Sequence, residues 1–288
     1  MLVNLAQLLT PASDNTYAIA AFDVVNVEYA SAIVRAAELE NSPVIIMVFE
    51  GYFRYFNMEL LVPALLKIGA QAKVPVVVHL DHATSVDTVA KAINAGCTSI
   101  MIDGSSSKYE ENVAKTREVV QMCKGINVSV EAEIGNVGGN EAIGQAILIS
   151  SKADEKYYTN VDQAVQFARD THVDALAVSV GNVHGLYKGE PKLDFERIEK
   201  IASHVGIPLV LHGGSGISDD DFQNAIKKGM RKINVNTALI LAAGSRLKSI
   251  VEGNRQLLNF PELLYLTYEA VSEEARHFMR VFGCSGKA

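Results

Sequence analysis

The chain is short of the features that mark an exported, membrane-embedded or nucleic-acid-binding protein. Its three cysteines, Cys97, Cys123 and Cys284, are odd in number and show no C-x-x-C spacing, so neither a disulfide framework nor a thiolate zinc site is indicated. A reducing, cytoplasmic setting is expected. No apolar run approaches the roughly 18 residues of a membrane span, and MLVNLAQLLTPASDN lacks the basic start and long apolar core of a secretion signal. Lys and Arg number 26 against 33 Asp and Glu, and the net charge of -7 disfavours nucleic acid or an anionic membrane as partner. A small anionic ligand stays open, because local lysines and backbone amides decide that. Low-complexity tracts are missing too, and 49% hydrophobic with 20% charged residues is an ordinary globular composition.

What is present is a regular alternation. Apolar runs of strand length occur at 17–22, 43–49, 75–80, 98–102, 127–132, 174–180, 207–211 and 231–235. Between them lie stretches of helical period such as EYASAIVRAAELEN, SVDTVAKAINAG and DFERIEKIASHV, several ending at Asn or Gly as helix C-termini do. Eight strand–helix units predict an α/β fold with a closed parallel sheet, a (β/α)8 TIM barrel, over residues 1–288 as one domain. An open doubly wound sheet would advertise a Gly-rich turn after its first strand, and AAFDVVNVEYA has no glycine. Two stretches fall outside the repeat: residues 138–160, long enough to be a lid loop, and a helical region from about residue 261.

In such a barrel the strand ends converge on one mouth, where sites are built. Here they carry Asp23, Glu50, Asp81, His82, Asp103, Glu131, Glu133, His184, His212, Asn234, Asn236 and Thr237. His82, His184 and His212 come from three different strand ends, a donor set that suits a catalytic zinc with an open fourth position. HGGSG at 212–216 can bring backbone N–H groups close to an anion, in the strand 7–8 region where barrels commonly hold phosphate. Lys188 and Thr237 add donors. A lone strand-end histidine, or a glycine turn alone, would more often be solvent-facing or merely structural, so the weight lies in their combination. His79 reads as an interior hydrogen-bonding residue, and His172, His204 and His277 as helical surface or packing residues.

The segments HLDH, MIDGS, SVEAEIGNVGG, GNVHGLYKGEPKLDFERI, IPLVLHGGSGI and KINVNT, in this order, resemble those of the zinc-dependent class II ketose-bisphosphate aldolases, from about residue 17 to the end. The resemblance implies Zn2+ on His82, His184 and His212, polarising a ketone and stabilising the enediolate left by carbon–carbon cleavage. It makes Asp81 the acid/base on the aldehyde-derived oxygen and Glu141 the lid-borne group exchanging the carbon-bound proton. Asp103 and Glu133 match either an alternative metal position or support for the histidines. Dihydroxyacetone phosphate would be held by Gly185, Lys188, Gly213, Ser215, Asn236 and Thr237, with Asn234 on the substrate hydroxyls. The Val183 and Gly213 carbonyls suit a monovalent cation, Na+ or K+. No Schiff-base lysine is required, and the strand ends show no obvious buried lysine apart from Lys188. The resemblance implies a homo-oligomer, a dimer first of all; the apolar cluster Leu263, Leu264, Tyr265 and Tyr268 in the C-terminal helical region suits either that interface or packing of the helix on the barrel.

Departures from the family pattern gather on the aldehyde side. Members that bind a second phosphate usually show asparagine where this chain has Asp23, serine at Phe49 and, in many, arginine at Tyr268. Here a negative charge is added, and a hydroxyl and a bidentate anion partner are lost. The expected substrate is a ketose 1-phosphate, with a 1,6-bisphosphate still open. The alternative is an unphosphorylated aldehyde half, for example sulfolactaldehyde from 6-deoxy-6-sulfofructose 1-phosphate, with Arg54 as a candidate anchor. A zinc hydrolase would more commonly show an H-x-H pair on the first strand, and a non-catalytic sugar-phosphate binder would need neither Asp81 nor Glu141.

Overall fold

A computed structural model describes residues 1–138, 148–150, 155–253 and 259–288. The expected barrel is present. Eight parallel strands close in the order β1, β10, β9, β7, β5, β4, β3, β2. They are β1 (Ile19–Asp23), β2 (Val44–Phe49), β3 (Val76–Ala83), β4 (Ser99–Ile102), β5 (Ser129–Ile134), β7 (Ala175–Val178), β9 (Leu209–Leu211) and β10 (Met230–Val235). Among the described residues, two further strands, β6 (Leu148–Ser150) and β8 (Leu186–Lys188), pair with each other in a small parallel sheet outside the barrel. Because the barrel strands are covered on both faces, several read as continuous apolar sequence, as VIIMVF in β2 does, while SVEAEI in β5 and MRKINV in β10 alternate.

Helices α2 (Val27–Glu40), α3 (Met58–Gln71), α4 (Val86–Ala95), α5 (Tyr109–Cys123), α6 (Val161–Thr171), α7 (Phe195–Val205) and α8 (Asp219–Lys228) intervene between the barrel strands. Their ends follow local chemistry. Asn26, Ser85, Asn160, Asp194 and Ser218 accept N-terminal amides, and Asn41, Gly96 and Gly206 stop helices in the left-handed region. Helix α1 (Leu5–Asn15) buries Leu5, Leu8, Leu9 and Ala12 against the end of the barrel where strands begin, with Ala6 N–H donating to Ser129 Oγ at 3.1 Å. At the chain's other end α9 (Thr237–Gly253) and α10 (Phe260–Val281) follow β10.

The C-terminal segment is tied down at Glu40, whose carboxylate accepts from Arg276, Arg280 and the Ser285 hydroxyl. The Arg280 hydrogen bond, aided by Arg276 and Ser285 against a smaller opposing effect of burial, lowers the Glu40 pKa to about 2. A carboxylate whose folded pKa is depressed contributes stability above its ordinary titration range and loses it as pH falls toward the folded value. Glu40→Gln is therefore expected to lower Tm by about 2–4 °C at neutral pH and to change it little near pH 2. Thermal melts at both pH values check this; an equal shift at both would remove the ionic explanation.

Candidate metal centre and active site

Strand β3 delivers two adjacent residues to one mouth. Neighbours on a pleated strand face opposite sides, so Asp81 and His82 should diverge. The β3–β4 register shifts between Leu80 and Ala83, and His82 adopts φ 50, a region non-glycine residues seldom occupy. This irregularity turns the His82 ring back over the barrel end. There its Nδ1 lies 2.8 Å from Asp103 Oδ2, just beyond β4, which holds the strained conformation and leaves Nε2 to face the mouth.

His212 follows β9 directly. His184 comes from the loop that leaves β7, which ends at Val178, and its N–H donates to Gly138 O at 2.8 Å. The three rings converge, with centroids 4.9, 4.6 and 5.8 Å apart, and one nitrogen from each lies within 4.8 Å of the others. His212 Nδ1 is buried and has no hydrogen-bond partner among the described residues. Three convergent imidazoles, one with a buried nitrogen that makes no hydrogen bond among the described residues, are a donor set that fits a divalent transition metal. Burial lowers the pKa of both His184 and His212, which favours the neutral form that ligates metal. Burial also opposes charge on His82, yet Asp81, the Asp103 hydrogen bond and Glu133 together raise its pKa well above the ordinary value.

A second grouping, His82 with Asp103 and Glu133, also places donors within 4.8 Å of one another. The Asp103 contact on His82 Nδ1 is the supporting kind. Burial and the neighbouring Asp103 charge push Glu133 up to about 8, and its Oε2 stands 3.3 Å from His212 Nδ1. Asp81 is buried and shares the inward phase of Phe49, its register partner on β2. Its Oδ1 accepts from Asn234 Nδ2 at 3.3 Å, while Oδ2 has no hydrogen bond among the described residues and lies 4.0 Å from His82 Nε2. His79 is interior, bonded through Nδ1 to Ser99 Oγ at 2.8 Å.

The glycine turn after β9 approaches backbone closely. Gly213 has φ 63, and a Cβ there would collide with the Val183 carbonyl. The Gly213 carbonyl accepts from Tyr187 Oη at 3.0 Å, and the same phenol accepts from Val183 N–H. Ser215 Oγ accepts from Ala238 N–H at 3.0 Å, which leaves the hydroxyl proton for an outside acceptor. Thr237 opens α9 and Ser215 bonds the Ala238 N–H of its first turn, so Ser215, Asn236 and Thr237 lie at a helix N-terminus, a natural seat for an anion. Gly185 has φ 99 beside β8, and the backbone of Lys188 belongs to that strand.

On the aldehyde side, Asp23 ends β1 and is buried. Phe49 packs edge-on against His82 and Tyr52. Tyr268 Oη accepts from Asn26 Nδ2 at 2.8 Å, near Tyr29. Arg54 is exposed and stacks on Tyr55 at 4.9 Å, so among the described residues it is not joined to the histidines. Glu141 lies outside the described residues. Three groups escaped the sequence reading. Tyr52 exchanges hydrogen bonds with Asn236, and the buried Tyr29 phenol lies close enough to the Asp23 and Tyr52 charges for them to raise its pKa, though burial raises it most. Lys232, contrary to the expectation that Lys188 alone qualified, is a fully buried lysine inside β10. Its signal was the alternation Lys232, Asn234, Asn236, which puts the ammonium on the inward face.

The chain as a whole is similar to known proteins. The family model "Fructose-bisphosphate aldolase class-II" matches residues 3–287. A fructose-bisphosphate aldolase of Staphylococcus aureus is 39% identical over 291 residues, covering 100% of this chain and 99% of the relative. A 6-phospho-5-dehydro-2-deoxy-D-gluconate aldolase of Halalkalibacterium halodurans is 40% identical over 293 residues, covering 100% and 98%. Among solved structures, the YdjI aldolase of Escherichia coli superposes with a TM-score of 0.88 at 36% identity, covering 100% of both chains.

Proposed function

Since this chain belongs to the class II fructose-bisphosphate aldolase family and is an aldolase, we propose that it reversibly cleaves a ketose 1-phosphate to dihydroxyacetone phosphate and an aldehyde, with zinc held by His82, His184 and His212. The observation that carries this reading is the convergence of three buried imidazoles beside a carboxylate oxygen, Asp81 Oδ2, that has no hydrogen bond among the described residues. A divalent cation bound there supplies Lewis-acid stabilisation of the negative charge that develops on a ketone oxygen. Family membership sets aside the hydrolase and non-catalytic readings.

In this proposal Asp81 gives and takes the proton of the aldehyde-derived hydroxyl, an assignment supported by Asn234, which bonds its other oxygen. Glu141 is our assignment for the carbon-bound proton. The phosphate belongs on Gly185, Lys188, Gly213, Ser215, Asn236 and Thr237, and the Val183 and Gly213 carbonyls are the place for Na+ or K+. The exposed apolar residues Ile240, Leu241, Leu247 and Val251 of α9, with Phe260 and Tyr265 of α10, support a homodimer through these helices. A cytoplasmic location completes the proposal.

The aldehyde half is the finer question, and the relatives differ from one another by name there. A buried carboxylate at Asp23, close to the Tyr29 phenol, suits hydroxyl groups and opposes a phosphate dianion. This favours an aldehyde without phosphate, with the sulfonate of sulfolactaldehyde as one alternative head group. The test is chelator-controlled cleavage of a panel of ketose 1-phosphates that includes fructose and tagatose 1,6-bisphosphates and 6-deoxy-6-sulfofructose 1-phosphate. Asp23→Asn is expected to raise kcat/KM for a 1,6-bisphosphate relative to the plain 1-phosphate by about tenfold or more, the equivalent of about 1.4 kcal/mol of repulsion removed. A wild-type preference for the bisphosphate, unchanged in the variant, would end the reading of Asp23 as a discriminator.

A further inference from the structure

Beneath the histidine cluster lies a buried ionic chain that the proposed mechanism does not use. Lys232 Nζ bonds both oxygens of Glu131, at 2.8 and 3.1 Å, and both side chains are fully buried. Glu131 Oε1 in turn lies 3.0 Å from His212 Nε2. Because Lys232 carries only donors, Glu131 must act as acceptor toward both neighbours. We propose that Lys232 is a positioning residue for the metal site: by clamping Glu131 it keeps His212 in the Nε2–H tautomer and so presents Nδ1 to His82 and His184. This rests on the metal reading given above.

The geometry supports each link. The two bonds from Lys232 fix the carboxylate plane, which a single contact would leave free to turn. His79, the other group near the pair at 4.0 Å from Glu131 Oε2, is anchored elsewhere through its Nδ1 to Ser99 and so does not compete for the carboxylate. At the far side of the His212 ring, Nδ1 makes no hydrogen bond among the described residues, with Glu133 Oε2 standing 3.3 Å away. An imidazole held by a carboxylate at one nitrogen, with the other turned toward neighbouring ligands, is the arrangement in which a carboxylate orients a metal ligand. Here the orienting carboxylate is itself oriented, by a lysine two residues before Asn234 on the same inward face.

The test is Lys232→Met, read by zinc affinity in chelator competition and by the ring 15N shifts of His212 in metal-free protein. The expected result is a bare Nδ1 and protonated Nε2 in the wild type, a mixture of tautomers in the variant, and zinc affinity about 10–100-fold weaker. A folded variant with unchanged affinity and an unchanged tautomer overturns the proposal. Because removing one partner of a buried pair can unfold a protein, the double variant Lys232→Met with Glu131→Gln is the second arm. It removes both charges yet keeps an unclamped amide oxygen near Nε2. It is expected to melt cooperatively with zinc affinity still about tenfold or more below wild type, and wild-type affinity there overturns the proposal. Should the wild type bind no zinc, the metal reading fails separately, while the tautomer in metal-free protein still decides whether Lys232 sets it.

Discussion

Asp81→Asn is expected to lower kcat by about 10²–10⁴-fold, the range supplied by a positioned acid/base, while dihydroxyacetone phosphate binds within a few-fold of its normal affinity. The argument is one of position. Asp81 Oδ2 is buried, has no hydrogen bond among the described residues, and lies 4.0 Å from the His82 nitrogen that faces the mouth. A hydroxyl formed or consumed beside the histidines has this oxygen within reach, whereas Asn234 already occupies Oδ1. Asparagine keeps the shape and an acceptor for Asn234 but cannot take up the proton. The seats proposed for the phosphate lie elsewhere, at the glycine turn and the start of α9, so binding should survive. Steady-state cleavage alongside titration with dihydroxyacetone phosphate separates the two quantities. A kcat within tenfold of wild type would remove Asp81 from the chemistry.

Much of this arrangement was readable from the residues, and what escaped did so for definite reasons. All eight barrel strands were marked, within a few residues, because a parallel strand buried on both faces is a short apolar run bounded by helical periodicity. The mouth followed from them, since the ends of those runs carry the histidines and carboxylates. Helix α1 was overlooked although Leu5, Leu8, Leu9 and Ala12 keep helical spacing and Asn4 with Gln7 forms a capping box. Its position under the barrel is a tertiary fact. The turn of His82 toward the same mouth as Asp81 could not be read, because strand alternation places them on opposite faces and only the bulge reverses one. Tyr52 was passed over for a similar reason, since its partner Asn236 lies 184 residues away. Lys232 was the misjudged case: a charge inside an apolar run reads as a strand end, until Glu131 from another strand is seen to neutralise it.

Stripping the metal with a chelator is expected to reduce cleavage by about 10³-fold or more, since Lewis-acid stabilisation is worth several kcal/mol and each 1.36 kcal/mol is tenfold in rate. The fold is expected to stay. The core is built from apolar side chains of eight strands and the helices around them, and none of Ile19, Ile45, Val77, Leu176 or Leu209 depends on the histidines for its burial. The site itself is held by protein contacts: Asp103 grips His82, Glu131 grips His212, and the His184 N–H is anchored on Gly138 O. Far-UV circular dichroism should therefore be unchanged, while zinc at about 100 times its Kd should stabilise the protein by about 2.7 kcal/mol and raise Tm accordingly. His184→Ala provides the genetic counterpart. It takes away one donor without touching the Asp103 or Glu131 contacts, so it should lose zinc and activity together and melt near the metal-free wild type. Full activity in the chelated protein, or a His184→Ala variant that still turns over normally, would show that the three imidazoles converge for some purpose other than holding the catalytic cation.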